Sequence, residues 1–125
     1  MDAKRKILVA DDDPHVREIV TTILRRAGYP LLVASSGEEA LKLFNEHSDQ
    51  IDLLITDMVM PGLTGDELAA HLRQNKPELK IVFMSGNISY TFQSEIFEAE
   101  QATFLSKPFA SRELLDAVQQ KLNTI

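Results

Sequence analysis

Apolar and polar residues follow two alternating patterns along the chain. Short runs that are apolar at nearly every position are typical of strands buried on both faces. Longer stretches with an apolar residue every three or four positions are typical of helices that pack on such strands. The predicted strands are residues 6–10, 31–34, 53–56, 81–84 and 103–105. Since a helical pattern follows each strand, we predict five βα units in a row.

Capping residues mark where the predicted helices begin. Asp13 is a suitable N-cap for the first helix, and Ser36-x-x-Glu39 and Thr64-x-x-Glu67 are capping boxes for the next two. The predicted helices cover residues 14–27, about 36–47, about 64–76, about 89–99 and about 111–123. On the first helix, the apolar positions that share one face are Val16, Ile19, Val20, Ile23, Leu24 and Ala27. We expect this face to be buried.

Consecutive βα units with strands that are apolar on both faces imply an α/β fold. The predicted architecture is a doubly wound parallel sheet of five strands with helices on both sides. The length of 125 residues fits one domain, 1–125, which is large enough to bury its own core. In such sheets, ligands bind beyond the carboxyl ends of the strands. We therefore expect the chemistry of this chain at those ends.

Composition excludes several classes of function. The net charge of -6 argues against a nucleic-acid surface on this domain. Cysteine is absent from the sequence, which excludes disulfides, thiol nucleophiles and cysteine-ligated metal sites. The charged residues 1–6 are followed by neither a signal peptide nor a transmembrane span. These features fit a cytoplasmic domain without membrane contact, and they leave open a membrane-anchored parent protein.

Carboxylates, a hydroxyl and one lysine stand where four of the predicted strands end. Asp11 and Asp12 follow the first strand, and Asp57 follows the third. Ser85 follows the fourth strand and Lys107 the fifth. Side by side, these strand ends form an anionic pocket with an ammonium group at its rim, and Mg²⁺ prefers such oxygen ligands. Mutual repulsion among the carboxylates is expected to raise at least one pKa, while Lys107 acts in the opposite direction.

The motifs that carry these residues resemble the receiver domain of two-component response regulators. They are ILVADDDP, LLITDMVMPGLTG, IVFMSG and FLSKPF, in the expected order over nearly the whole chain. The resemblance implies a flavodoxin-like fold with the strand order 2-1-3-4-5. It also implies that a histidine kinase or a histidine phosphotransfer domain donates a phosphoryl group to this domain in a phosphorelay. No separate substrate is then turned over, because a receiver catalyses its own phosphorylation and dephosphorylation.

By this resemblance, each pocket residue has a role. Asp57 is the phosphoacceptor, Ser85 the switch hydroxyl and Lys107 the phosphoryl-binding lysine. The ligands of Mg²⁺ or Mn²⁺ are Asp11 through a water, Asp12, Asp57 and the backbone carbonyl of Val59. In the family, the peptide bond that follows the lysine is usually cis. A carboxylate attacks an anionic donor poorly, so catalysis here requires positioning and charge neutralisation rather than a general base.

Receivers report their phosphorylation through a conformational switch. The resemblance implies that Ser85 moves toward the phosphoryl group and that Phe104 follows inward. This reshapes the surface of the fourth helix, fifth strand and fifth helix, which a downstream output domain or protein reads. The predicted fourth helix, 89–99, has a weak amphipathic pattern that is consistent with remodelling. Phe104 lacks a phenolic hydroxyl and can act only through burial; a static core Phe is the alternative.

Some positions depart from the common family pattern. Val59 and Asn87 occupy positions that tune access of the hydrolytic water, so we expect an aspartyl phosphate of intermediate lifetime. Residues 101–104 lack the acidic pair and tyrosine of many dimerising, DNA-binding regulators, which argues against the usual receiver dimer. The phrases FMSGN and FLSKPF look more like receivers of hybrid sensor histidine kinases. They imply an excised module, with a free-standing single-domain regulator as the alternative.

Three alternative functions remain to be weighed on the sequence. A pseudo-receiver would keep the fold and bind partners without phosphorylation, but the intact set of Asp12, Asp57, Ser85 and Lys107 argues against it. An aspartate-nucleophile phosphatase would need a D-x-D with a Thr following on the first strand, whereas Pro14 follows Asp13 here. A flavin carrier would need a hydroxyl-rich phosphate loop there, and three aspartates would repel its phosphate.

Each motif alone also has a purely structural interpretation. Asp13 is expected to be only a helix cap, and Lys107 alone could be a surface lysine before a helix. The three histidines, His15, His47 and His71, are expected at exposed helix positions, because they lack metal-ligand spacing. Only the joint arrangement of the motifs is specific.

Overall fold

The strands of this protein form one parallel sheet in the order β2-β1-β3-β4-β5. The computed structural model describes residues 6–86 and 102–123. Its strands are β1 (Lys6–Ala10), β2 (Leu31–Ala34), β3 (Ile51–Asp57), β4 (Lys80–Ser85) and β5 (Ala102–Ser106). Every neighbouring pair is parallel. The predicted fold class and strand order are therefore confirmed.

Helices connect the strands. They are α1 (Pro14–Arg26), α2 (Gly37–His47), α3 (Gly65–Asn75) and α4 (Ser111–Leu122), with a short 3₁₀ turn at Ser48–Gln50. The last of these, α4, is the helix predicted over 111–123. The helix predicted over 89–99 lies outside the described residues. In the part of the chain that the structure describes, no helix has both the length and the apolar character to cross a membrane.

Side chains cap α1, α2 and α3 largely as predicted. The Asp13 carboxylate accepts a hydrogen bond from the backbone N of His15 at 2.9 Å. At α3, Thr64 and Glu67 form the complete reciprocal capping box. At α2, Ser36 accepts from the Glu39 backbone N at 3.0 Å, but the Glu39 carboxylate accepts from the backbone N and hydroxyl of Ser35. The second half of the predicted α2 capping box is therefore shifted by one residue.

Two hydrophobic cores lie on opposite faces of the sheet. The first packs under α2 and α3, and its largest members include Phe44, Phe83, Leu54, Leu68 and Leu72. The second packs under α1 and α4, with Ile7, Ile55, Leu24, Leu114 and Val118 among its members. Strand residues alternate between the two cores, because successive side chains of a strand point to opposite faces. This arrangement confirms helices on both sides of the sheet.

The buried face of α1 differs from the predicted one. Ile19 is 54% exposed, and Thr21 is buried in its place at 6% exposure. The helix is rotated so that Val20 and Leu24 face the sheet, which leaves Ile19 beyond the edge of the core. Thr21 can be buried because its hydroxyl donates to the Glu18 carbonyl at 3.2 Å. Ala27, at the end of the same predicted face, is exposed as well, so the prediction that Ile19 and Ala27 are buried is wrong.

Candidate functional site

The register of the sheet brings the predicted site residues to one edge. Along this edge, the aligned pairs are Ala10 with Thr56, Asp57 with Met84, and Ser85 with Ser106. Asp11 follows the end of β1, and Lys107 follows the end of β5. The backbone N of Lys107 donates to the Ser85 carbonyl at 2.8 Å, which extends the pairing of β4 and β5 to the lysine. Four strands therefore contribute to one pocket.

Three carboxylates converge in this pocket. One oxygen each from Asp11, Asp12 and Asp57 lies within 4.8 Å of the others. Asp11 is completely buried and Asp57 is 9% exposed, whereas Asp12 is exposed. The pocket is thus closed at Asp11 and open to solvent at Asp12. Among the described residues, this is the one group of metal-ligating side chains that converges.

Lys107 neutralises part of the negative charge. Its Nζ lies 3.3 Å from Asp57 Oδ2 and 3.5 Å from Asp11 Oδ2. The peptide bond between Lys107 and Pro108 is cis. One ammonium among three carboxylates leaves the pocket negatively charged, so a cation is favoured there.

The Asp11 carboxylate is held asymmetrically. Its Oδ1 accepts from the backbone N of Asp13 at 2.9 Å, whereas no hydrogen-bond donor in the described ranges reaches the buried Oδ2. Burial raises the pKa of Asp11, while the Asp13 backbone N and the Lys107 ammonium lower it. The predicted direction of the shift is confirmed for Asp11. Its cause is corrected, because desolvation outweighs the repulsion from Asp57 and Asp12.

The oxygen set fits a hard divalent cation. Burying a carboxylate oxygen without a hydrogen bond is costly, and Asp11 Oδ2 has an ion pair of 3.5 Å with Lys107 Nζ but no hydrogen bond from the described residues. Carboxylates beside an open side for water suit Mg²⁺, which binds one or two carboxylates directly and keeps several waters. The donors are all oxygen atoms, which disfavours softer metals that select nitrogen or sulfur.

Backbone contacts that the sequence analysis did not single out fix the pocket walls. The Arg17 guanidinium donates through Nη1 to the Asp11 carbonyl at 2.8 Å. Gly65, the first residue of α3, lies so close to Asp57 that a Cβ there would overlap the Asp57 carbonyl oxygen. A glycine in the first turn of a helix, where it is a poor helix former, was the available signal for this contact.

Three of the four residues predicted to act in switching or in phosphoryl lifetime lie in the described ranges. Ser85 is buried at 1% exposure, and Val59 is 50% exposed. Phe104 is half-buried and packs against the core under α2 and α3. Asn87 lies outside the described residues. The roles of Ser85 and Phe104 in switching, and of Val59 and Asn87 in setting the phosphoryl lifetime, stay predictions.

The histidines take no part in the pocket. His15 and His71 are exposed on α1 and α3 as expected. His47, the last residue of α2, is half-buried rather than exposed. Its Nε2 lies 4.0 Å from a Glu46 carboxylate oxygen on the same helix.

Comparison with known proteins gives one consistent family. A family model described as the response regulator receiver domain matches residues 7–119. The response regulator receiver protein CpdR of Brucella abortus (strain 2308) is 33% identical over 118 residues, which cover 94% of this chain and 97% of that protein. The sensor kinase CckA of the same organism is 32% identical over 116 residues, 93% of this chain. This chain spans only 12% of that kinase.

A solved structure supports the same relationship. The response regulator protein TrrA of Thermotoga maritima, solved in complex with Mg²⁺ and BeF, superposes with a TM-score of 0.79 at 35% identity. The match covers 94% of this chain and 98% of that one. Sequence and structure thus agree over nearly the whole chain.

Proposed function

Because this chain belongs to the response regulator receiver domain family, we propose that Asp57 accepts a phosphoryl group from a phosphohistidine. The donor is a histidine kinase or a histidine phosphotransfer domain. The observation that carries this proposal is the ion pair of 3.3 Å between Lys107 Nζ and Asp57 Oδ2, in a pocket shared with two further carboxylates. A lone structural aspartate would not require that setting.

The reaction is a transfer between two anions. A carboxylate oxygen of Asp57 forms a bond to phosphorus as the bond between phosphorus and the donor histidine nitrogen breaks. Lys107 is placed to pair with a phosphoryl oxygen once that group is attached to Asp57, and Ser85 donates a hydrogen bond to another. Preorganised charges of this kind stabilise the transition state without reorganisation of water. The transfer therefore needs no general base from the protein.

A divalent metal belongs to this site in our proposal. Asp12 and Asp57 would hold Mg²⁺ or Mn²⁺ directly, Asp11 would act through a water, and the Val59 carbonyl would complete the protein ligands. When bound, the metal supplies positive charge that offsets the repulsion between the attacking carboxylate and the donor. The buried Oδ2 of Asp11, which accepts no hydrogen bond from the described residues, supports this assignment, as does the Mg²⁺ complex of the related TrrA.

We assign the output to the surface that follows Ser85 in the chain. Ser85 and Phe104 form the switch, and the readers are output domains or proteins that contact the stretch at 89–99, β5 and α4. Val59 and Asn87 set the lifetime of the aspartyl phosphate. Residues 1–125 act as one receiver domain, either as a module of a hybrid histidine kinase or as a free-standing regulator. Both arrangements occur among its relatives.

The decisive experiment is intact-mass spectrometry after incubation with Mg²⁺ and acetyl phosphate. We expect one added phosphoryl group on the parent protein and none on Asp57→Asn, with circular dichroism confirming that both are folded. A third variant, Val59→Ala, tests the lifetime assignment, and we expect it to change the rate of phosphoryl loss. For the output surface, we expect phosphorylation of the parent protein to change amide exchange at 89–99. Failure of the folded parent to accept a phosphoryl group from several donors would favour a phosphorylation-independent interaction module.

A further inference from the structure

The loop between β3 and α3, residues 58–64, carries one of the proposed metal ligands on an exposed turn. Hydrogen bonds close the loop at its base, from the Gly65 backbone N to the Met58 carbonyl at 3.0 Å and from the Met58 backbone N to the Met84 carbonyl at 2.9 Å. Met60 is buried at 3% exposure. Val59 lies between these anchors and is half exposed.

The far side of this loop rests on the first turn of α2. The backbone N of Leu63 donates to Glu38 Oε2 at 3.2 Å, a contact between residues 25 positions apart. Leu63 also lies directly against Gly37, where a Cβ would come within 2.7 Å of the Leu63 carbonyl oxygen. The first two residues of α2 therefore hold the loop from outside the strand that carries Asp57.

Gly62 adapts the loop to this contact. Its φ of +77° lies in the left-handed region that glycine adopts without penalty. A Cβ at Gly62 would also approach Glu38 Oε2 to 2.7 Å. Both the backbone conformation and the absent side chain of Gly62 thus leave room for the Glu38 carboxylate.

The position of Glu38 suits a fixed carboxylate. It lies in the first turn of α2, where the partial positive charge of the helix N-terminus stabilises an anion. Neither the pocket aspartates nor Lys107 is needed to hold it there. Glu38 is exposed, so its single hydrogen bond to the loop contributes modestly.

We propose that Glu38 is a positioning residue for the metal site, because it holds through Leu63 the loop that carries the Val59 carbonyl. This inference rests on the proposed function, in which that carbonyl is a metal ligand. Glu38 does not itself touch the metal or the phosphoryl group. Its carboxylate acts as a hydrogen-bond acceptor, which separates this role from a general attraction of cations by negative charge.

The test compares two substitutions at one position with a distant control. Glu38→Ala removes the acceptor and the charge, whereas Glu38→Gln removes the charge and keeps an acceptor oxygen. Glu46→Ala removes an exposed carboxylate at the other end of α2. Mg²⁺ dissociation constants are measured by calorimetry without any phosphoryl donor. Amide exchange at Leu63 reports the hydrogen bond directly, and thermal unfolding without metal reports stability.

We expect Glu38→Ala to weaken Mg²⁺ binding roughly two- to tenfold, the range that corresponds to the loss of one hydrogen bond. It should also accelerate Leu63 amide exchange, while Glu38→Gln and Glu46→Ala stay close to the parent in both. Unchanged Mg²⁺ affinity in Glu38→Ala would overturn the inference, and equal weakening in Glu38→Ala and Glu38→Gln would replace it with a charge effect. A parent protein that binds no Mg²⁺ would overturn the metal assignment itself.

Discussion

The amino and carboxyl edges of the sheet, where the strands begin and end, differ in the groups that surround their charged side chains. At the amino edge, Lys76 Nζ donates to the backbone carbonyls of Ser48 at 2.9 Å and Ile51 at 2.6 Å, and it also lies 3.7 Å from Asp52 Oδ1. Arg73 donates through Nη2 to the Leu79 carbonyl at 3.1 Å. At the carboxyl edge, Lys107 pairs with two carboxylates, Asp57 and Asp11, and the buried oxygen of Asp11 lacks a hydrogen-bond donor among the described residues.

This difference distinguishes a lysine that stabilises the fold from a lysine that we propose to act in phosphoryl transfer. Backbone carbonyls that accept from Lys76 are fixed parts of the fold, so its ammonium contributes to stability and leaves little to offer a ligand. Under the proposed function, the ion pairs of Lys107 would be exchanged when a cation and a phosphoryl group enter, because side chains rearrange more easily than strand ends. We therefore expect loss of Lys76 to lower stability and loss of Lys107 to slow phosphoryl uptake.

The largest expected effect comes from substituting these two lysines in parallel. Lys107→Met should slow phosphoryl uptake from acetyl phosphate by about 10²- to 10³-fold, as found when one preorganised charge is removed from a transition state. Lys76→Met should leave that rate near the parent value and lower the free energy of unfolding by about 2 kcal/mol. Mass spectrometry and urea denaturation measure the two quantities. The contrast between the edges fails if both variants lose mainly stability.

A second test concerns how tightly the carboxyl edge is built. Gly65→Ala should lower the free energy of unfolding by about 1–3 kcal/mol, because the new methyl group overlaps the Asp57 carbonyl and forces the strand end or α3 to move. Gly86→Ala is the matched control, since a Cβ at Gly86 meets no atom of the described residues within 4 Å. Urea denaturation of both variants decides the matter, and equal stabilities would show that α3 yields without cost.

The smallest effect is a dependence of stability on pH without metal. Because the pKa of Asp11 is raised in the folded state, its ionised form costs stability above that pKa. The cost vanishes as the pH falls below the ordinary aspartate pKa of about 3.9 in the unfolded chain. We therefore expect Asp11→Asn to be more stable than the parent at neutral pH, with a difference that shrinks on acidification.

Calorimetry or thermal unfolding across this pH range, in the presence of a chelator, measures the effect. Saturating Mg²⁺ should reverse the order of the two proteins, since a ligand of the native state stabilises the parent more when Asp11 takes part in binding. An Asp11→Asn variant that is less stable than the parent at every pH without metal would contradict the expectation. The stabilising pair with Lys107 would then outweigh the cost of burial.

The sequence predicts the parts of this molecule that depend on local pattern. Strand runs that are apolar throughout, and the caps Asp13 and Thr64, act over a few residues and are visible in the sequence itself. The convergence of Asp11, Asp57 and Lys107 is also predictable, because parallel strands bring their carboxyl ends to one edge. Topology supplies the long-range step in that case.

Contacts between elements that are distant in sequence were not predictable in the same way. The hydrogen bond from Leu63 to Glu38 joins residues 25 positions apart, and the local sequence around either residue does not predict the contact. The exposure of Ile19 depends on how α1 is rotated against the sheet, which packing decides and periodicity alone does not. The steric need for Gly65 likewise follows from the approach of α3 to Asp57. Such features require the three-dimensional arrangement.

The alternation of side chains along the strands has a mechanical consequence. Asp57 continues the series of Leu53 and Ile55, which belong to the core under α1 and α4. Ser85 continues the series of Ile81 and Phe83, which belong to the core under α2 and α3. Elsewhere the backbone of the sheet separates these two cores. A group bound jointly by Asp57 and Ser85 would link the two cores across the end of the sheet. A displacement of the helices on one face would then be transmitted to the helices on the other.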